Sequence, residues 1–321
     1  MKEYKKFIPF DKQVALLHDK KLVVHDDSFA EHVLSSMSYY DIVNGYKECF
    51  MKNEEYRHDI SIEYLYTFYH FDRSIQNSLF QYSTYVENFF KTALSYVIAK
   101  DFGDHQDDYL KRKNFIQPNQ KNRKNKLNKT LKNIHKVYDN QDNWYDEPTR
   151  HYKYTKDNIP PWILLKNVTF SNTIDLYSFL KSEQKKQVLH ILCPSLTDSD
   201  YMYELVKNSL TVVRKYRNVV AHNLKFITST SGVNYIKVLK NIPFMEPFIR
   251  DVKSKKDTPY SMLLAMTVLL KDPFLRDQLY ASLESTVLQF VMQPNQENLF
   301  DEYCKIIGMP TNIFDIYHEV F

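Results

Sequence analysis

The stretch Arg217-Asn218-Val219-Val220-Ala221-His222 sets a guanidinium and an imidazole five residues apart. An arginine grips a phosphate through a planar fork of donors, and a histidine moves a proton near neutral pH. In one cleft the two suffice to cleave RNA without a metal. Arg217 would bind the scissile phosphate and offset its developing charge. His222 would act as general base or acid for attack by the ribose 2′-hydroxyl. Asn218 would orient His222 or the phosphate. Of the eleven histidines, only His222 has an arginine five to seven positions before it.

The element that must carry these groups reads as a helix over 205–226 that ends near His222 or Asn223. At 100° per residue Arg214, Arg217, Asn218, Ala221 and His222 share one face, while Val212, Val213, Tyr216, Val219 and Val220 share the opposite one. The valine face is the one a core requires. Ala221, small and central on the polar face, permits close approach by a substrate or a second surface. On spacing alone, a solvated helix face explains the same stripe equally well.

A second basic feature lies upstream. Between Lys111 and Lys136 there are ten Lys and Arg residues and no Asp or Glu. Lys111, Arg112, Lys113, Lys121, Arg123, Lys124 and Lys126 form its first part. With Arg214, they are the candidate contacts to an RNA backbone, salt-sensitive and indifferent to sequence. A mobile, solvated loop is the competing reading, and the two are compatible.

Composition removes other chemistries. Four glycines, Gly45, Gly103, Gly232 and Gly308, leave no glycine-rich phosphate loop. Cys49, Cys193 and Cys304 lack metal or redox spacing and read as buried, reduced thiols. His18, His25 and His32 recur every seven residues, but polar loop text breaks the segment, so no metal and no cofactor is expected. The amino terminus, residues 1–6, lacks a secretory apolar run, and the longest apolar stretch, Met262 to Leu270, is too short to span a bilayer. A cytoplasmic protein with no membrane partner is expected.

The periodicity predicts an all-α chain. Helices are expected over 10–17, 28–40, 127–138, 173–180, 183–192, 198–223, 257–270 and 273–292, with a helix pair or tail over 298–321. Residues 61–100 read as two helices or one kinked near Phe71-Asp72, where Asp72 would cap the second piece. Residues 101–126 and 140–161 read as polar loops, 162–165 as a short buried segment, 226–232 as β-rich text and 233–239 as a short strand. Three segments are expected: an N-terminal helical part (1–60), a catalytic part (61–240) with a basic insertion (101–136), and a C-terminal helical extension (241–321).

Four blocks in order then resemble a known family. Phe10-Asp11-Lys12-Gln13 with Tyr39-Tyr40 and Gly45-Tyr46 is similar to the opening of the bacterial abortive-infection proteins of the AbiD/AbiF type. Phe71-Asp72-Arg73 with Val86-Glu87-Asn88 resembles their second block, and Pro160-Pro161-Trp162-Ile163-Leu164-Leu165 the third. Arg217 to His222 resembles the last, the ribonuclease motif of the HEPN superfamily. After His222, the text Asn223-Leu224-Lys225-Phe226-Ile227 departs from the basic, asparagine-rich string usual there. The resemblance covers residues 8–224. It implies an all-α HEPN-like bundle with helical extensions, a homodimer whose facing motifs build one cleft, a toxin in antiphage defence with an RNA substrate, and control by a small structured noncoding RNA. Two readings compete with the ribonuclease: a non-catalytic RNA-binding module, and a structural helical dimer using the polar stripe as its interface.

Overall fold

The computed structural model describes residues 6–139, 147–197, 199–252 and 257–321. The readings at residues 1–5, at 140–146 of the loop that begins at Asn140, and at Asp198 lie outside them.

Asp26 accepts the amides of Ser28 and Phe29 at 2.8 and 3.3 Å. This cap starts the second of two opening helices, α1 (Phe10–Asp19) and α2 (Asp27–Tyr39). A π-helical turn, Tyr40–Asn44, leads into α3 (Gly45–Phe50). The one sheet among the described residues pairs β1 (Met51–Lys52) with β2 (Glu55–Tyr56), antiparallel. Ser61 then caps α4 (Ile62–Phe102), accepting from the Tyr64 amide at 3.1 Å.

The expected break near Phe71-Asp72 is absent: α4 is one helix of 41 residues. Asp72 is 2% exposed. Its carboxylate caps nothing and instead accepts the phenols of Tyr46 and Tyr303 at 2.9 and 3.1 Å.

Short pieces follow as α5 (Gln106–Tyr109), α6 (Lys121–Asp139), α7 (Thr149–His151), α8 (Pro161–Asn167), α9 (Phe170–Ser178) and α10 (Ser182–Leu192). The loop expected up to Lys126 is shorter than read, because α6 starts at Lys121. Its Leu127, Leu131, Ile134 and Val137 keep one face buried, as the helix expected over 127–138 requires, while Lys121 to Lys126 are exposed and carry no apolar residue to mark the start. The remaining helices are α11 (Asp200–Ala221), α12 (Tyr235–Leu239), α13 (Glu246–Ile249), α14 (Tyr260–Leu269), α15 (Pro273–Val291), α16 (Leu299–Ile307) and α17 (Ile313–Val320).

Residues 226–239 hold no strand. Asp257 satisfies the turn at 231–233, accepting from the Ser231 hydroxyl at 2.8 Å and from the amides of Gly232 and Val233. With these backbone donors met by a side chain, no strand partner is needed. Asn234 then caps α12, where a strand was expected.

The fold is all-α, and one apolar cluster runs through it from Val14 to Tyr317. At its centre α4 packs against α8, α10, α11 and α15, while α11 also packs against α9 and α14. All ten residues of α14 are buried, so the longest apolar run of the chain is a core helix that backs α11. No helix among the described residues is long and apolar enough to cross a membrane.

Candidate active site

The site helix α11 begins at Ser199, whose hydroxyl accepts from the Met202 amide at 3.3 Å. Val212, Val213 and Tyr216 are fully buried and Val220 is 7% exposed, as expected of the core face, while Val219 is half-buried at its edge. Arg214, Arg217 and Asn218 are half-buried on the other side, and Ala221 and His222 are exposed.

The end of α11 explains how His222 is presented. Asn223 adopts φ +53°, in the left-handed region that asparagine tolerates better than most residues. The Leu224 amide donates to the Val219 carbonyl at 2.9 Å and the Asn223 amide to the Val220 carbonyl at 3.0 Å. This pair of bonds is a Schellman cap. It reverses the chain just after His222 and leaves the imidazole in solvent. Among the described residues, the ring has no hydrogen-bond or ion-pair partner.

Arg217 is held from α4. Its Nη2 lies 3.3 Å from Glu87 Oε2, and its Nη1 donates to Asn218 Oδ1 at 3.3 Å. The guanidinium carbon sits 5.8 Å from the centre of the Phe80 ring. Glu87 Oε1 is also 2.8 Å from Lys91 Nζ, one turn along α4, and Lys91 reaches the Lys166 carbonyl of α8 at 3.4 Å. The carboxylate is therefore shared by two cations, and the cluster carries one net positive charge. Arg217 Nε is buried and has no hydrogen-bond partner. Most of the five donors of this arginine stay uncommitted.

Asn218 thus touches Arg217. Its link to His222 is through the backbone, the His222 amide donating to the Asn218 carbonyl at 3.1 Å. The residue that the spacing did not offer is Glu87. Its signals in the sequence are its place in the block Val86-Glu87-Asn88 and the Lys91 four positions on, and neither points to Arg217.

The basic residues fall elsewhere. Lys111 pairs with Asp108 at 2.6 Å, Arg112 bonds Gln117 and Asn128, and Lys113 is exposed. On α6, Lys121, Arg123 and Lys124 are exposed, and Lys126 pairs with Asp175 of α9 at 2.6 Å. Burial holds the Lys185 ammonium of α10 below its ordinary range; Glu204 opposes this, and Lys207 and Arg123 add to it. Arg123, Lys185 and Lys207 lie near one another beside the N-terminal half of α11, with Glu204, paired to Lys207 at 2.9 Å, and Asp200 among them. Lys207 and Arg217 are ten residues apart, roughly 15 Å along the helix. The structure joins Arg217 to Asn218 by a side-chain hydrogen bond and joins His222 to Asn218 through the backbone alone.

Burial pushes the Cys49 and Cys193 thiols up to about 12, so neither is a thiolate nucleophile at neutral pH. Among the described residues no three His, Cys, Asp or Glu are grouped to hold a metal ion.

An all-α bundle with an arginine fixed by a carboxylate and a histidine exposed at the next helix end defines a helical protein with a small cationic site. A family model described as Abi-like protein matches residues 32–228, more than half of the chain, and the chain belongs to that family. Membership supports a role in abortive-infection defence. The match takes in Glu87, the basic helix α6, Arg217 and His222, and it stops before α12. No match is found among curated proteins or among solved structures.

Proposed function

We propose that this protein is a metal-independent endoribonuclease of the HEPN type, acting as an AbiD/AbiF-like toxin in antiphage defence. The observation that carries the reading is the pairing of a preorganised guanidinium with a solvent-facing imidazole at the end of the same helix. Glu87 and Asn218 fix Arg217 through one donor each of Nη2 and Nη1, while the other donors of these two nitrogens stay free for phosphate oxygens. Fixed donors aimed at developing charge are the most effective kind, because they need not reorganise during reaction.

In this mechanism His222 takes the proton from the ribose 2′-hydroxyl. The oxygen attacks the adjacent phosphorus, and the bond to the 5′-oxygen breaks. That oxygen leaves with a proton, giving a 2′,3′-cyclic phosphate and a 5′-hydroxyl. Arg217 offsets the charge on the phosphorane. A second copy of the chain would set its own α11 end against this one and supply the second imidazole as acid. Exposed Ala221 permits that approach. Arg123, Lys185 and Lys207 would hold the flanking RNA backbone, or a structured regulatory RNA.

The test is expression of the wild type and His222→Ala in cells, with growth and RNA ends scored. The wild type should arrest growth and leave cyclic phosphate ends. The variant should lose about 10²- to 10⁴-fold in cleavage rate, and a chelator should change neither. Equal cleavage by a folded His222→Ala protein removes the assignment.

One observation favours a second reading, a non-catalytic RNA-binding module: no group among the described residues orients the His222 ring. In that case the full biological effect survives both Arg217→Ala and His222→Ala.

A further inference from the structure

Directly beyond His222 the chain enters the wall of a cleft of about 420 Å³, closed on one side by residues 223–227 and on the other by the π-helical turn, α3 and the middle of α4. That volume is in the range of small-ligand sites. Tyr40 stands at its mouth with 72% of its surface exposed. Phe7, Tyr154 and Phe274 are exposed to a similar degree, so what sets Tyr40 apart is its backbone. Ser38, two residues earlier, has φ 60° and ψ 147°, a conformation that side-chain-bearing residues avoid, and the turn that follows is a π-helix. Both features gather at functional sites. Tyr40 and Tyr69 both line the cleft.

The charges of the lining are nearly all committed. Glu48 pairs with Lys225 at 3.3 Å, Asp41 accepts from the Ser38 hydroxyl at 2.8 Å, and Asp72 accepts two phenols. Arg73 bonds only the side chain of Gln76, at 2.8 Å, and Lys47 has no ion pair among the described residues. What the lining offers a ligand is the exposed Tyr40 ring, the half-buried Tyr69, which also meets Tyr46 and His70 edge-on, the cation of Lys47, and that of Arg73, which lies near the Asp72 carboxylate. Unpaired bases stack on tyrosine and on arginine planes, and phosphates seek free cations.

We propose that this cleft is a nucleotide subsite, taking one unpaired nucleotide of the RNA beside the scissile phosphate, its base against Tyr40 and Tyr69 and its phosphate at Arg73 and Lys47. The proposal rests on the ribonuclease reading above for the identity of the polymer, and Asn223, next to His222, ties the cleft to the catalytic group. The subsite makes the enzyme favour single-stranded or looped RNA, because a base held in a duplex cannot enter.

The test uses the full chain and a fluorescent RNA decamer of mixed sequence carrying 2′-O-methyl at every sugar, which binds without being cut. Tyr40→Ala should weaken binding by about 5- to 150-fold, the loss that removing one base stack produces, and Arg73→Gln should weaken it by more than about twofold at low salt and lower the slope of log affinity against log salt by about 0.7. Tyr40→Phe, which keeps the ring, should bind as the wild type does and shows that the fold is intact. Cleavage of the matching ribo-decamer is followed in parallel for wild type and His222→Ala. Affinity within twofold of wild type in both Tyr40→Ala and Arg73→Gln overturns the subsite, as does a wild type that fails to bind the decamer. If binding depends on Tyr40 and Arg73 while no RNA is cut, the subsite stands and the ribonuclease assignment falls. If cleavage depends on His222 while binding ignores Tyr40 and Arg73, the nuclease stands and the subsite falls.

Discussion

Glu87 and Arg217 meet across 3.3 Å, joining the middle of α4 to the last turn of α11. Their side chains are 15% and 31% exposed, so the pair is largely shielded from water. A lone arginine on a helix face would sample many rotamers. Held by Glu87, Arg217 keeps one orientation, and the phosphate meets a guanidinium already in place.

Glu87→Gln should therefore act on turnover more than on binding. The amide keeps the volume but releases the guanidinium and adds one net positive charge to the cluster. We expect kcat to fall on the order of 10- to 100-fold, since small misplacements at a reacting centre cost that much. KM should stay level or drop. Steady-state kinetics on a defined RNA would check this, and an unchanged kcat with a raised KM would assign Glu87 to substrate binding instead. Glu87→Ala also leaves Lys91 and Arg217 facing each other, so it should lower stability by about 1–3 kcal/mol, less than the loss for a fully buried pair.

The cap at Asn223 should control where His222 points. Its positive φ suits glycine and asparagine, while a β-branched side chain there costs about 1–2 kcal/mol. Asn223→Gly should keep both stability and cleavage within about twofold. Asn223→Val should lower the denaturation midpoint and reduce cleavage, because the Leu224 to Val219 and Asn223 to Val220 bonds that set the helix end are strained together. Chemical denaturation and a cleavage assay on the three proteins decide it. An Asn223→Val protein equal to wild type in both would remove the cap from the account.

The exposed cations of α6 should contribute to RNA affinity through salt alone. Each phosphate contact to a single strand adds about 0.7 to the slope of log affinity against log salt. Replacing Lys121, Arg123 and Lys124 together should therefore lower that slope by about 2 and leave kcat unchanged, since these residues lie toward the other end of α11 from His222. A slope identical to wild type would make α6 a solvated face and nothing more.

Which of these relationships could be read from the chain depends on how far apart the partners lie. The polar and apolar faces of α11 follow from the 3.6-residue period alone, and so does its end near His222. The same period gives the helix over 127–138, but not its start at Lys121, because Lys121 to Lys126 hold no apolar residue for a period to mark. The Arg217–Glu87 pair joins residues on different helices, and no local pattern signals it. Asp72 reads as a helix cap because aspartate favours caps. Its real partner, Tyr303, lies 231 positions away in the C-terminal extension. The region 226–239 alternates weakly like a strand, but Asp257 satisfies its turn from outside the window. Motif and helix face are local facts; the groups that hold them in place come from distant parts of the chain.

Asp72 supplies a pH test of that long-range packing. Burial pushes its carboxyl up to about 6, and the hydrogen bonds from Tyr46, Gln76 and Tyr303 only partly offset this. The unfolded chain holds the same group near the ordinary aspartate value of about 3.9. Between these two values the folded protein binds more protons than the unfolded one. The contribution of Asp72 to stability is thus fully present below pH 4 and is lost as pH rises through 6. A difference of about two pH units corresponds to roughly 3 kcal/mol. Other carboxylates titrate over the same interval, so the quantity to follow is wild type minus Asp72→Asn, in which only this group differs. Urea unfolding at pH 4, 5, 6 and 7 should show wild type losing about 3 kcal/mol relative to the variant across the range. A difference that stays flat would mean that Asp72 is ionised or hydrated in the folded protein, and that the contact of α16 with the middle of α4 does not seal it from water.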